Sequence, residues 1–143
     1  IMEPGSIDYV ATLDWYFFDT RSKGGMYWGG YAEKYRKGEP CGAGRALSKR
    51  VLDQLKWCPW IPGYDKVLDT GFKIQMERIR HQKHFFMMAS FPGVIGIDVK
   101  TSVNMTPFCQ WNNSTVIKPQ EILDLMTKNF DSTFAKQIYK LRA

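Results

Sequence analysis

The chain of 143 residues carries 44% hydrophobic and 24% charged side chains, a balance that is typical of a folded globular chain and excludes an intrinsically disordered one. Its formal net charge of +6 favours anionic partners such as nucleotides, nucleic acid or acidic surfaces. The basic residues are spread along the chain rather than gathered in one run, which argues against a basic nucleic-acid-binding tail.

The cysteines and the hydropathy pattern indicate the compartment. Cys41, Cys58 and Cys109 form an odd set without a Cys-x-x-Cys pair, which argues against a disulfide framework and against a zinc ribbon. A reducing environment fits this usage best. No apolar stretch approaches the roughly 20 residues that a membrane-spanning helix needs. We therefore expect an intracellular, cytoplasmic protein without a membrane span.

The first half of the chain predicts a β-hairpin followed by a helix. Residues 7–18 are rich in aromatic and β-branched side chains and predict one long strand. A cluster of turn residues at 19–25 separates it from a second strand at 26–31. Residues 45–55 predict the first helix, because their apolar side chains recur on one stripe.

The second half alternates between helices and strands. The predicted elements are a helix from about 68 to 81, strands at 85–90 and 94–101, a loop at 105–116, a helix at 119–128, and a helix capped by Asp131 that runs to about 141. We expect a single α+β domain spanning residues 1–143, with a mixed sheet of about four to five strands and three to four helices.

A turn of small residues precedes the first predicted helix. Gly42 and Gly44 allow backbone N–H groups to approach a ligand closely, and Arg45 stands at the edge of the turn. The positive end of the helix would point at this turn, which suits an anionic or polyhydroxylated ligand. A tight strand-to-helix connection with a surface arginine explains the same residues.

Two aspartates, Asp65 and Asp69, lie four residues apart near the start of the second predicted helix. Carboxylates are stabilised there by the helix dipole, so both are candidates for N-terminal caps. The functional alternative is that Asp69 acts as a catalytic base or orients an acceptor hydroxyl.

A third pattern is Asp98-Val-Lys100 on an apolar predicted strand. Many restriction-type nucleases present a metal-binding carboxylate and a lysine in this way, and the second acid would be Asp69 or Glu77. The other interpretation is an edge strand on which Asp98 and Lys100 share one solvent face. The Asp98–Lys100 pattern therefore leaves a metal-dependent nuclease or a nucleic-acid-binding domain as an alternative function.

The order of several motifs resembles a known family. The motifs are Leu13-Asp-Trp-Tyr-Phe-Phe-Asp19, Trp28-Gly-Gly-Tyr31, Gly38-Glu-Pro-Cys-Gly-Ala-Gly-Arg-Ala-Leu-Ser48, Leu52-Asp-Gln-Leu-Lys-Trp57, Asp65-Lys-Val-Leu-Asp69 and Gly96-Ile-Asp-Val-Lys-Thr-Ser-Val-Asn104. Together they resemble the carboxy-terminal, acceptor-side half of GT-A-type, family-2-like glycosyltransferases from bacteria and phages.

This resemblance implies part of a GT-A fold and transfer of a sugar from a sugar nucleotide to a hydroxyl acceptor. It implies that Asp69 is catalytic. The residues it implies for substrate binding are Gly42, Gly44, Arg45, Trp28 and Asp65. Such enzymes use Mn²⁺ or Mg²⁺ on an Asp-x-Asp motif, which this sequence lacks. The resemblance therefore implies that the cation site lies in an amino-terminal half or in a second chain.

A non-catalytic interaction module, such as a viral or structural subunit, is a third hypothesis. Its contact anchors would be the tryptophans of three loops that the sequence predicts to be exposed. These tryptophans are Trp28, Trp57 with Trp60, and Trp111.

Overall fold

The computed structural model describes residues 6–40, 42–63, 68–101 and 112–141. Over these residues the fold is α+β, as predicted, with four α-helices. The strands form two mixed sheets of three and four strands, where the sequence predicted one sheet of about four to five. The chain divides into two compact units. The first unit comprises the described residues up to Thr12 and from Pro40 to Phe86, and the second comprises those from Leu13 to Glu39 and from Met87 onward. The single domain stays a prediction.

The first unit contains a three-stranded sheet and two helices. Its elements are β1 (Tyr9–Thr12), β4 (Ala46–Leu47), α1 (Lys49–Gln54), α2 (Leu68–Glu77) and β5 (Lys83–Phe86). The central strand β1 pairs antiparallel with β4 and parallel with β5. The buried core lies between this sheet and the helices and consists of Tyr9, Ala11, Val51, Leu55, Phe72 and Met76.

The second unit contains a four-stranded sheet, a short 3₁₀-helix and two helices. Its elements are β2 (Trp15–Asp19), β3 (Gly25–Trp28), the 3₁₀-helix Met88–Ser90, β6 (Ile97–Lys100), β7 (Ser114–Ile117), α3 (Pro119–Asn129) and α4 (Ser132–Lys140). The sheet order is β6-β2-β3-β7, and only the β2–β6 pair is parallel. Its core includes Phe18, Ile122, Met126 and Ala135.

The first long strand was predicted wrongly, because the segment 7–18 breaks into β1 and β2. Asp14 lies at the break and its side chain is fully buried. The carboxylate accepts hydrogen bonds from the backbone N–H groups of Met88 and Ala89 and from the Tyr27 hydroxyl. A buried carboxylate needs hydrogen-bond donors. The strand is interrupted at Asp14, where the carboxylate meets these donors.

The first helix is shorter than predicted and begins at Lys49 rather than at residue 45. Ser48 caps it, since its side chain accepts a hydrogen bond from the Val51 N–H. Ala46 and Leu47 instead form β4, because their backbone groups pair with β1. The prediction that the helix opens directly from the small-residue turn, with its positive end aimed at it, is therefore wrong.

The remaining predictions have mixed outcomes. The hairpin of β2 and β3 is confirmed, and so are the helices at the carboxy-terminal end, where Asp131 caps α4 through the Thr133 and Phe134 N–H groups. The predicted helix 68–81 already ends at Glu77. The end of the predicted loop 105–116 is a strand, because β7 pairs with β3, and residues 105–111 lie outside the described residues.

Candidate functional site

Three of the predicted site residues meet in the first unit, although Asp69 lies on a different element from Gly42 and Arg45. Arg45 Nη2 lies 3.0 Å from Asp69 Oδ1. A β-carbon placed on Gly42 would lie 3.0 Å from Oδ1 and 3.4 Å from Oδ2 of the same carboxylate. The fold thus closes the small-residue turn on the first turn of α2, and we call this arrangement the Gly42–Arg45–Asp69 site.

Glycine suits two positions of this turn for different reasons. At Gly42 a side chain would press on the Asp69 carboxylate, since a 3.0 Å contact is tighter than ordinary van der Waals distance. At Gly44 the backbone φ is 68°, a left-handed conformation that glycine adopts at little cost. The turn therefore approaches the carboxylate with backbone rather than with side chains.

Arg45 contacts both the Phe72 ring and the Asp69 carboxylate, and the carboxylate lies at the surface. Its guanidinium carbon lies 4.6 Å from the centre of the Phe72 ring, within the range of a cation–π contact. The Arg45 side chain is only 12% exposed, whereas that of Asp69 is 43% exposed. The result is an Asp69 carboxylate whose orientation is set by the Arg45 guanidinium and whose side chain remains partly exposed to solvent.

Local sequence explains how α2 contributes to this site. Asp69 lies in the first turn of α2, where the helix dipole stabilises its charge. Phe72 follows three residues later, so the two side chains are neighbours on the helix surface. Because Phe72 is buried in the core of the unit, the position of the carboxylate is tied to the packing of α2.

A buried ionic network fixes the segment that follows the turn, and sequence reasoning did not find it. Asp8 accepts hydrogen bonds from Arg50, from the Ser48 hydroxyl at 2.9 Å and from the Gln82 N–H at 3.0 Å. The Arg50 hydrogen bond, aided by those from Gln82 and Ser48, outweighs desolvation and lowers the pKa of Asp8 to about 2. No spacing in the sequence marks Asp8, because its partners come from distant segments.

Of the other two predicted substrate-binding residues, Trp28 belongs to the second unit and Asp65 lies outside the described residues. Trp28 lies in β3 and is 5% exposed; its ring packs edge-on against Tyr31 at 4.8 Å. The expectation of an exposed loop at Trp28 is therefore wrong, and its substrate contact stays a prediction. Trp111 also lies outside the described residues.

The Asp98–Lys100 pair is an ion pair on the edge strand β6 of the second unit. Lys100 Nζ lies 2.7 Å from Asp98 Oδ2 and 5.1 Å from the centre of the Phe17 ring. Lys100 is 8% exposed, so the interpretation that both residues share a solvent face is wrong for the lysine. An attacked phosphate would have to compete with Asp98 for this buried ammonium group.

A divalent cation would need ligand side chains that lie close together. Over the described ranges, no group of three or more His, Cys, Asp or Glu residues is placed so that it could hold a metal ion. Within the same ranges, no helix has the length and apolar character needed to cross a membrane.

Comparisons of the chain with protein-family models, curated proteins and solved structures found no match.

Proposed function

We propose that this chain is the acceptor-side part of a glycosyltransferase and that the Gly42–Arg45–Asp69 site binds the acceptor hydroxyl. The observation that carries the proposal is the ion pair of Arg45 and Asp69, with the backbone of Gly42 in close contact with the Asp69 carboxylate. These are residues that the family resemblance names for acceptor binding and catalysis. An exposed, oriented carboxylate beside side-chain-free backbone suits a polyhydroxylated ligand.

The proposed reaction is a displacement at the anomeric carbon of a sugar nucleotide. The acceptor O–H donates a hydrogen bond to the Asp69 carboxylate, and the acceptor oxygen then forms a bond to the anomeric carbon. The bond from that carbon to the diphosphate oxygen breaks, and the nucleoside diphosphate leaves with the electron pair. Asp69 takes the proton that the acceptor loses.

Arg45 has a positioning role in this proposal. Its contact with Asp69 Oδ1 and its packing on Phe72 hold the carboxylate in one orientation before the acceptor binds. Such preorganisation removes part of the entropic barrier of the reaction. Mn²⁺ or Mg²⁺ would act on the donor diphosphate and would be held by an amino-terminal half or by a second chain.

The first test is a thermal-shift screen of the chain against sugar nucleotides with and without Mn²⁺, with a short DNA duplex in parallel. Stabilisation by one sugar nucleotide would support the proposal and show that the chain itself retains a donor site, because a ligand that binds the folded state raises the melting temperature. Stabilisation by DNA alone, in a manner that falls steeply with added salt, would overturn the proposal in favour of a nucleic-acid function.

The second test is transfer of the sugar identified in this way, measured as release of nucleoside diphosphate. Asp69→Asn is expected to abolish acceptor-dependent release, because the amide cannot take the proton. The matched control is Asp124→Asn on the exposed surface of α3, which is expected to leave the rate unchanged. Equal rates for both variants would exclude Asp69 as the catalytic base.

A further inference from the structure

We propose that one end of the four-stranded sheet, formed by residues 29–39 and 87–96 and called the docking end, binds the surface of anionic lipid membranes. The loop tip 91–94 enters the lipid, and Lys34 and Lys37 contact lipid phosphates. The inference goes beyond the proposed function and does not depend on it, because all of these residues belong to the second unit.

The sheet topology brings the two segments to the same end of the sheet. Trp15 begins β2 and pairs with Trp28, the last residue of β3, so the segment 29–39 leaves the sheet at this end. Strand β6 runs parallel to β2, so the segment 87–96, which precedes β6, also reaches the sheet here. The turn between β2 and β3 lies at the opposite end.

Contacts hold both segments to the same two residues, Leu13 and Asp14. A β-carbon on Gly30 would lie 2.6 Å from the Leu13 carbonyl oxygen, so the backbone of the first segment packs closely on Leu13. The adjacent Asp14 carboxylate accepts hydrogen bonds from the Met88 and Ala89 N–H groups of the second segment. The two segments of the docking end therefore share one buried anchor.

The tip of the second segment is a tight turn with exposed apolar side chains. The Val94 N–H donates to the Phe91 carbonyl oxygen at 3.1 Å, so the turn brings these two residues close together. Phe91 is 48% exposed and Val94 is 46% exposed. Residues 87–97 carry no charged side chain. Moving this tip from water into an apolar environment is therefore favourable and buries no charge.

The backbone of the tip favours lipid over a pocket on another protein. The N–H groups of Ser90, Phe91 and Val94 each donate to a backbone carbonyl oxygen within residues 87–91. Pro92 has no N–H group. A protein pocket can offer acceptors to unpaired N–H groups, whereas the lipid interior offers none, so groups that enter it must be paired within the segment.

The first segment adds positive charge to the docking end. Arg36 pairs with Glu39 at 3.1 Å, and the remaining charges of this segment are Lys34, Lys37 and Glu33, an excess of one cation. Both lysines are exposed. Together with the net charge of +6 of the chain, they favour a surface that carries anionic lipid phosphates.

Tyr35 lies between these lysines and is 81% exposed. Tyrosine is enriched at the level of lipid headgroups, because its ring is apolar and its hydroxyl forms hydrogen bonds. A nucleic acid would select the cations but not the uncharged apolar tip. The combination of apolar tip, tyrosine and lysines at one end of the sheet therefore favours a membrane surface.

The experiment measures co-sedimentation of the intact chain with two kinds of vesicle, phosphatidylcholine alone and equal parts of phosphatidylcholine and phosphatidylserine. We expect binding to the anionic vesicles. Phe91→Ser should weaken it at least about tenfold, because an inserted ring is lost. Val94→Ser acts on the other side of the turn and should also weaken it. Lys34→Gln and Lys37→Gln should each weaken it about fivefold.

The matched controls remove similar groups at the opposite end of the sheet. Arg21→Gln lies in the turn between β2 and β3. Leu141→Ser removes a side chain that is 43% exposed, and Leu141 is held near this turn because Lys23 Nζ donates to its carbonyl oxygen. Both variants should bind like the unaltered protein, and urea unfolding shows that each variant is folded.

A second measurement locates the inserted segment. Spin-labelled lipid in the vesicles should broaden the amide NMR signals of residues 90–94 more than those of the turn between β2 and β3. Weaker binding of Phe91→Ser or Val94→Ser than of Leu141→Ser, together with this broadening, supports the proposal. Absence of binding to anionic vesicles, or equal binding of the folded Phe91→Ser, Val94→Ser and unaltered proteins, would overturn it. Binding to a DNA duplex that requires the lysines, without vesicle binding, would overturn it in favour of nucleic acid.

Discussion

Gly42 lies so close to Asp69 that a β-carbon at position 42 would come within 3.0 Å of the Asp69 Oδ1 atom. The same oxygen is 3.0 Å from Arg45 Nη2. The Gly42 backbone and the Arg45 guanidinium therefore both limit the movement of the Asp69 carboxylate. These contacts set the orientation of the carboxylate, and the Asp69 side chain remains partly exposed to solvent.

Gly42→Ala is expected to impair transfer more than it impairs folding. The added methyl group would displace the Asp69 carboxylate by a few tenths of an ångström. Because a misplacement of about 1 Å at a reacting group can cost about 100-fold, we expect the rate to fall by no more than roughly tenfold. The free energy of unfolding should fall by no more than about 1 kcal/mol, because the displaced group is a partly exposed side chain. Transfer kinetics and urea unfolding of the same variant measure the two effects.

The control for this variant is Gly24→Ala in the second unit, where a β-carbon meets only ordinary contacts of 3.4 Å or more. It should leave the transfer rate unchanged. If Gly42→Ala is as active as the control, the close approach of the turn has no role in orienting Asp69.

Arg45→Lys and Arg45→Met separate charge from geometry. Lysine keeps the positive charge but loses the planar guanidinium that stacks on Phe72, so we expect an intermediate loss of activity. Methionine keeps apolar volume and removes the ion pair, so the rate should fall by roughly 10- to 100-fold, the loss typical of a supporting residue. Equal activity of the lysine, methionine and unaltered proteins would contradict a positioning role.

Asp8 makes stability depend on pH in the acid range. Its pKa falls from the ordinary value of 3.8 to about 2 in the folded state, chiefly through the hydrogen bond from Arg50. A carboxyl whose folded pKa is depressed stabilises the protein above the unfolded pKa and loses that contribution as pH falls through the folded value. We expect the Asp8 contribution to disappear between about pH 4 and pH 2.

Urea unfolding of the unaltered protein and of Asp8→Asn at pH 7, 4 and 2 measures this contribution. At pH 7 the variant should be less stable by roughly 2–3 kcal/mol, since a charged hydrogen-bond network is broken. Between pH 4 and pH 2 the difference should shrink. A difference that stays constant over this range would show that the Asp8 charge does not contribute, and Asp124→Asn serves as the exposed control.

Asp14 is expected to be among the residues of the second unit whose replacement costs most. Asp14→Ala would leave the Met88 N–H, the Ala89 N–H and the Tyr27 hydroxyl without their buried acceptor. The Met88 hydrogen bond is buried and the other two are partly buried, so at about 1–3 kcal/mol for the first and less for the others the loss should be roughly 2–4 kcal/mol. Tyr27→Phe removes one of the three bonds and should cost roughly 1 kcal/mol.

A double-mutant cycle of Asp14→Ala and Tyr27→Phe, followed by equilibrium unfolding, measures the coupling of this pair. A coupling near zero would contradict the hydrogen bond between them. The ionisation of Tyr27 offers an independent check, because burial and the Asp14 carboxylate both raise its pKa. Deprotonation of Tyr27 should therefore require more alkaline solution than that of an exposed tyrosine.

Local signals in the sequence were sufficient for the helices and turns whose determinants lie within a few residues. The cap of α4 at Asp131 and the proline at the start of α3 act on neighbouring backbone groups, so their effect can be predicted from the sequence alone. The β2–β3 hairpin is similar, because the turn cluster between its strands lies in the same stretch of chain.

Tertiary contacts decided the features that depend on distant partners. The strand breaks at Asp14 because its donors come from residues 88 and 89, and residues 46–47 form a strand because β1 offers them backbone partners. The sequence singled out Gly42, Arg45 and Asp69 as candidates one by one. Their contact exists only because packing of Phe72 in the core holds the first turn of α2 against the glycine turn, and such a long-range juxtaposition leaves no local pattern in the sequence.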